Sequence, residues 1–68
     1  MALTSTEIRL CQESPEFKLA TVANCERAGN RWAEAAALAA RTGDDRRAAL
    51  RGQWAAEAFA DAHYAAGL

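Results

Sequence analysis

The side chains best suited to chemistry in this chain are two cysteines and one histidine, Cys11, Cys25 and His63. A thiol beside an imidazole can act as a nucleophile, and both groups are soft metal ligands. Such a nucleophile also needs a group that orients the histidine and donors for an oxyanion, and the sequence has no pattern for either. The three residues match no zinc spacing and lack a fourth ligand. We therefore expect no enzymatic activity, no metal and no cofactor.

The spacing of the cysteines indicates free thiols. Cys11 and Cys25 are fourteen residues apart, without a C-x-x-C pattern. If the chain reverses at Ser14 and Pro15, the two cysteines are offset by about 10 Å along the helix axes, at about 1.5 Å per residue. Because a disulfide requires Cα atoms within about 7 Å, the pair should not bridge within one chain.

Net charge and hydropathy argue against nucleic acid and membrane as partners. The chain has a net charge of -1 and a pI near 5.7, so it has no general attraction to phosphates or anionic lipids. Its first ten residues lack a basic segment followed by an apolar one. No run approaches the roughly 20 apolar residues that span a bilayer. We expect a cytoplasmic protein that does not contact a membrane.

Three arginines offer the main alternative function. Arg46, Arg47 and Arg51 lie in "RRAALRGQW", and the segment "LAARTG" ends at Gly43 shortly before them. Together these stretches resemble bacterial helix-turn-helix domains over residues 33–54. The resemblance implies a DNA-binding transcriptional regulator in which the three arginines contact phosphates or bases.

Two carboxylates separate the sequence from that family pattern. Asp44 stands where the family usually has an apolar residue, and Asp45 adds a second negative charge at the start of the next helix. Both would oppose DNA phosphates. The alternative interpretation is that the aspartates cap a helix while the arginines are solvated or paired at helical spacing, and it is the one we prefer.

A second resemblance concerns residues 29–67. The stretches "GNRWAEAAALAARTGDD" and "AAEAFADAHYAAG" are similar to tetratricopeptide-type helical pairs in their small-residue and aromatic spacing. Membership would imply a peptide-binding helical surface. The chain lacks a proline ending and tandem copies, and repeat arrays generally need about three units for stability. We interpret the similarity as shared packing chemistry.

Capping residues predict where the helices begin. Thr4 followed by Glu7 is a capping-box pattern, and Ser14 followed by Pro15 and Glu16 is a second N-terminal signal. They predict one helix over residues 5–13 and another that begins at residue 15.

Glycines predict where the helices end. Gly43 ends one helix before the last begins at residue 45, and that last helix continues to residue 66. Gly29 and Asn30 leave two alternatives for the middle of the chain, either separate helices over residues 15–28 and 30–41 or one kinked helix.

The last predicted helix has two apolar faces, and a single groove cannot bury both. One face carries small residues around one ring and is expected to pack against the preceding helix, together with Trp32. The helix-packing residues are Trp32, Gly52, Ala55 and Phe59. The other face is expected to contact a partner protein or a second copy of the chain. The partner-surface residues are Leu38, Leu50, Trp54 and Ala58.

The length and composition of the chain predict a small core that needs another chain to complete it. Although 51% of the residues are hydrophobic, nineteen of the 68 are alanine, which favours helix but buries little area per side chain. A chain this short rarely draws more than roughly 3–5 kcal/mol from one core. We therefore predict a single all-α domain over residues 1–68, a bundle or hairpin of three to four helices completed by homodimerisation. Its expected function is to bind a protein partner and regulate, inhibit or adapt it, as small bacterial or bacteriophage regulators do.

Overall fold

The chain forms three α-helices and no strand within residues 3–68, the part described by the computed structural model. The helices are α1 (Ser5–Glu13), α2 (Pro15–Arg41) and α3 (Asp45–Ala66). The bounds of α1 and α3 coincide with the predicted ones. Where the sequence left one or two helices open, α2 is one helix of 27 residues that continues through Gly29 and Asn30.

Local hydrogen bonds explain the start of α1. The backbone N–H of Glu7 donates to Oγ1 of Thr4 at 3.2 Å, and the backbone N–H of Thr4 donates to Oε1 of Glu7 at 3.0 Å. The predicted capping box is therefore present. Only Ser14 separates α1 from α2, and its Oγ accepts from the backbone N–H of Phe17 at 3.1 Å.

The turn between α2 and α3 is closed by glycine. Gly43 has a φ of 81°, in the left-handed region that side-chain-bearing residues rarely adopt. The backbone N–H groups of Gly43 and Asp44 donate to the carbonyls of Ala40 and Ala39, at 3.1 and 2.9 Å, which is the Schellman pattern. Asp44 then caps α3 by accepting from the backbone N–H of Arg47 at 3.1 Å. The chain thus reverses within three residues.

Helices α2 and α3 pack antiparallel along their lengths, and α1 contacts α2 at fewer positions. Trp32 and Trp54, each eleven residues from Gly43, are in ring contact. Ala35 and Arg51, each eight residues from Gly43, are joined by a hydrogen bond. Matched positions on either side of the turn therefore meet, as in a hairpin.

The contact between α2 and α3 is made largely by small residues. Ala39, Ala55, Ala62 and Ala65 are buried, and no large side chain of residues 3–68 is fully buried. The radius of gyration is 13.7 Å, whereas a compact chain of this length has about 11 Å. The helices approach closely, but they enclose no core of large side chains.

The exposed surface is correspondingly large. It measures 4831 Å², whereas a compact monomer of 7.3 kDa exposes about 4200 Å². The excess is roughly 650 Å² on that scaling. Among the described residues, seven large hydrophobic side chains are exposed: Leu19, Trp32, Leu38, Leu50, Trp54, Phe59 and Tyr64.

The capping box makes the stability of α1 depend on acid pH. Hydrogen bonds from the backbone and side chain of Thr4 lower the pKa of Glu7 below its ordinary value of 4.5. A lowered pKa contributes stability above the ordinary value, and that stability is lost as the pH falls through the folded-state pKa. Replacing Glu7 by glutamine keeps an acceptor but removes the charge. We expect Glu7→Gln to melt below wild type at pH 7 and the gap to close below pH 4.5, measured by circular dichroism. A gap that is constant with pH would contradict this.

Candidate interaction surface

A groove of about 620 Å³ lies along the three helices. Most of its lining is apolar, and its floor includes Phe17 of α2 and the two tryptophans, Trp32 and Trp54. Glu7, Glu57 and Asp61 are the charged residues of the lining. The remaining lining residues are Leu3, Ala20, Thr21, Asn24, Cys25, Ala28 and Ala58. Among the described residues, the groove is therefore lined by apolar and acidic side chains and by no basic one.

The two tryptophans of this groove contact each other. The ring centroids of Trp32 and Trp54 are 4.6 Å apart and the planes meet at 62°, an edge-to-face arrangement. The sequence placed the two rings at one height but left open whether they touch, and the structure shows that they do. Trp54 is still 37% exposed and Trp32 38% exposed. Each ring therefore supports the hairpin while offering apolar area to another molecule.

A second hollow, of about 140 Å³, adjoins the groove at Trp54. Its other lining residues are Arg47, Leu50 and Arg51, all on α3. This hollow is basic, whereas the groove on the far side of Trp54 is acidic. Trp54 thus borders two depressions of opposite charge.

The four predicted partner-surface residues fall at different places. Leu50 and Trp54 line the basic hollow, and Ala58 lines the acidic groove with Trp54. Leu38 is 55% exposed but borders neither depression. The structure therefore brings three of the four together.

The close approach of α2 and α3 is at a different glycine from the predicted one. A Cβ on Gly52 would meet no atom within 4 Å, so the expected packing role of Gly52 is wrong. A Cβ on Gly29 would instead lie 2.7 Å from the Phe59 ring. The predicted packing residues Ala55 and Phe59 do lie at the helix contact, Ala55 buried and Phe59 against Gly29. From the sequence, Gly29 was interpreted only as a position where the helix could break or kink.

The three arginines are held to different degrees. Nη1 of Arg51 donates to the carbonyl oxygen of Ala35 at 3.3 Å, which links α3 to α2. Nε of Arg47 lies 3.4 Å from Oδ2 of Asp44, and Arg46 is exposed. The pairing of Arg47 at helical spacing and the exposure of Arg46 agree with the preferred interpretation, whereas the hydrogen bond of Arg51 across the hairpin was not predicted.

The candidates for chemistry are not brought together into a metal site. Cys11 is buried, Cys25 is half-buried in the groove, and both are free thiols. His63 is exposed on α3 and lines neither depression. No three His, Cys, Asp or Glu side chains of residues 3–68 are grouped so as to hold a metal ion.

The groove makes Cys25 a slow nucleophile. Burial, then the charges of Asp61 and Glu7, raise the pKa of its thiol above the ordinary 9.0. Because the thiolate is the reactive form, we expect iodoacetamide to alkylate Cys25 more slowly than N-acetylcysteine at pH 8. Asp61→Asn should speed the reaction, while Cys11, which is 2% exposed, should react only after unfolding. Mass spectrometry of quenched samples measures both sites, and alkylation of Cys25 at the rate of the free thiol would contradict the expectation.

None of the helices in the described part of the chain is long and apolar enough to span a membrane. Comparison of the chain with protein-family models, with curated proteins and with solved structures finds no match. The function is therefore inferred from the side chains and their arrangement.

Proposed function

We propose that this chain is a small non-enzymatic interaction module that binds a protein partner through the surface around Trp54 and thereby regulates, inhibits or adapts it. The observation that carries the proposal is the exposure of the tryptophan pair at an apolar groove of about 620 Å³. Tryptophan is the side chain most enriched among residues that dominate binding energy. Free thiols at Cys11 and Cys25 suit the reducing cytoplasm.

Completion of the fold by homodimerisation is a separate part of the proposal. Within residues 3–68, seven large hydrophobic side chains are exposed and none is fully buried. A domain of this size gains little from a single core, so association would supply stability that the monomer lacks. Light scattering coupled to size exclusion tests this part, and a monomer at high micromolar concentration would contradict it.

Several contacts favour a protein over DNA as the partner. A helix-turn-helix places its two helices at roughly 90–120°. Here α3 instead returns alongside α2, with Trp54 on Trp32. Asp44 and Asp45 stand at the N-terminus of α3, where a recognition helix would meet base edges and phosphates.

Two exposed leucines provide a matched test of the interaction module. Leu50 is 44% exposed and lines the basic hollow, while Leu19 is 68% exposed and lines neither depression. We expect immobilised wild type and Leu19→Glu to retain the same stoichiometric protein from a lysate of the source cells, and Leu50→Glu to lose it. Mass spectrometry identifies the retained protein.

Two results would contradict the module. Retention of the companion by both leucine variants would show that it binds elsewhere. Nucleic acid retained at low salt, released at high salt and lost on charge reversal of Arg46, Arg47 and Arg51 would favour the DNA-binding alternative.

A further inference from the structure

Four charged residues of α3 are arranged symmetrically about Trp54. Arg47 and Asp61 lie seven residues before and after it, and Arg51 and Glu57 lie three residues before and after it. Arg47 and Arg51 thus each have an acidic counterpart at the same distance on the other side, whereas Arg46, whose counterpart is Ala62, is outside the pattern. A half-turn rotation about an axis through Trp54 exchanges the two sets.

The symmetric residues share one surface. At 100° per residue, the positions from 47 to 61 that take part lie within an arc of about 120° on the helix. Leu50 and Ala58, each four residues from Trp54, continue the pattern with apolar side chains. All of these residues line the basic hollow or the acidic groove. The face is therefore continuous, apolar along its middle, basic in one half and acidic in the other.

We infer that the occupant of this face is a second copy of the chain, with the two α3 helices antiparallel and a two-fold axis at Trp54. Arg47 then faces the partner's Asp61, and Arg51 faces the partner's Glu57. The same two contacts recur on the other side of the axis, as in every isologous interface. Leu50 lies against the partner's Ala58. The inference rests on the proposed homodimer and specifies its arrangement; the partner protein of the proposed function would then bind this face in exchange for the second copy.

Contacts within the chain are compatible with this pairing. Arg51 uses Nη1 toward Ala35, and Arg47 uses Nε toward Asp44. A guanidinium group has five N–H donors, and a carboxylate accepts several hydrogen bonds. The arginines and carboxylates can therefore keep their partners within the chain while facing opposite charge across the axis.

The exposed surface of the whole chain is larger than that of a compact monomer, which leaves area that a dimer can bury. The chain exposes roughly 650 Å² more than a compact monomer of its mass. A specific interface buries about 800 Å² on each partner. Leu50 and Trp54, 44% and 37% exposed, are the large side chains that the second copy would cover.

The arrangement is tested by reversing the charges of the basic half of the face, of the acidic half, and of both. Variant A carries Arg47→Glu and Arg51→Glu, variant B carries Glu57→Arg and Asp61→Arg, and variant C carries all four changes. In A alone and in B alone, like charges face each other across the axis. In a mixture of A with B, and in C alone, every facing pair is again opposite in sign.

We expect A and B each to dimerise about 10- to 100-fold more weakly than wild type, because exposed pairs are individually weak and four change from attraction to repulsion. An equimolar mixture of A and B, and C by itself, should regain the wild-type dimerisation constant within about threefold. Sedimentation equilibrium measures the constants. A variant that merely fails to fold would not be restored by mixing, so recovery reports pairing.

Three results would overturn the inference. If A and B dimerise like wild type, these charges do not face each other. If neither the mixture nor C recovers, the dimer uses another arrangement. If wild type is monomeric yet retains a companion that depends on Leu50, the homodimer fails while the interaction module stands.

Discussion

Replacing Gly29 by leucine is expected to lower the free energy of unfolding by about 1–3 kcal/mol, because the side chain would overpack the contact between α2 and α3. The Cβ alone would lie 2.7 Å from the Phe59 ring, closer than real Cβ contacts allow. Leucine favours helix over glycine by roughly 1 kcal/mol, so the loss would occur despite better local propensity. Urea denaturation followed by circular dichroism measures it.

Gly52 is the matched control, because a Cβ there meets no atom within 4 Å. Gly52→Ala should stabilise the chain by about 0.5–1 kcal/mol through helix propensity alone. When Phe59 is replaced by alanine, the ring no longer opposes a Cβ at position 29. Gly29→Ala should then also stabilise the chain by about 0.5–1 kcal/mol. Equal responses at the two glycines in the presence of Phe59 would show that the ring does not restrict Gly29.

Removing the indole of Trp54 is expected to have the largest effect on association. At concentrations where the chain is monomeric, Trp54→Ala should lower the free energy of unfolding by about 1–3 kcal/mol. This is less than the loss of about 3–5 kcal/mol expected when a fully buried ring is removed. A double-mutant cycle with Trp32→Ala should give a coupling of about 0.5–1.5 kcal/mol for the edge-to-face pair. At dimer-forming concentrations the loss at Trp54 should grow, since its exposed area would be covered by the second copy.

Concentration dependence separates the two roles of Trp54. Denaturation of wild type and both single variants is followed by circular dichroism at low and high micromolar concentration. A loss that stays constant across that range would place Trp54 solely in the packing of the monomer.

The helix limits could be predicted because they depend on local chemistry. Thr4, Ser14 and Gly43 act through hydrogen bonds to residues within three or four positions, and the sequence displays those partners directly. Gly29 was ambiguous because local propensity disfavours glycine in a helix. In the structure Gly29 lies inside α2 with the ring of Phe59 beside it, a tertiary contact that the sequence does not display.

The candidate site was predictable only along α3. The spacing of Leu50, Trp54 and Ala58 on one face indicated an interaction surface, and all three line its depressions. The contributions of α1 and of the first half of α2 were missed, because the direction in which α1 folds back at Ser14 depends on tertiary contacts. For α2, the available signal was a stripe of Phe17, Thr21 and Cys25 at four-residue spacing. The close approach of the helices was wrongly predicted at Gly52 for a similar reason. A helical wheel shows which residues share a face, but it does not show which face meets the neighbouring helix.

The alanine contact between α2 and α3 has a consequence for calorimetry. The heat capacity increment of unfolding follows apolar area newly hydrated, at about 12–15 cal/mol/K per residue for ordinary domains. In residues 3–68 the buried hydrophobic side chains are four alanines and one cysteine, so less apolar area is newly hydrated when the monomer melts. Its stability curve should therefore be shallow, with a broad endotherm. Covering Leu50 and Trp54 in a dimer would steepen that curve, so the increment itself should rise with protein concentration.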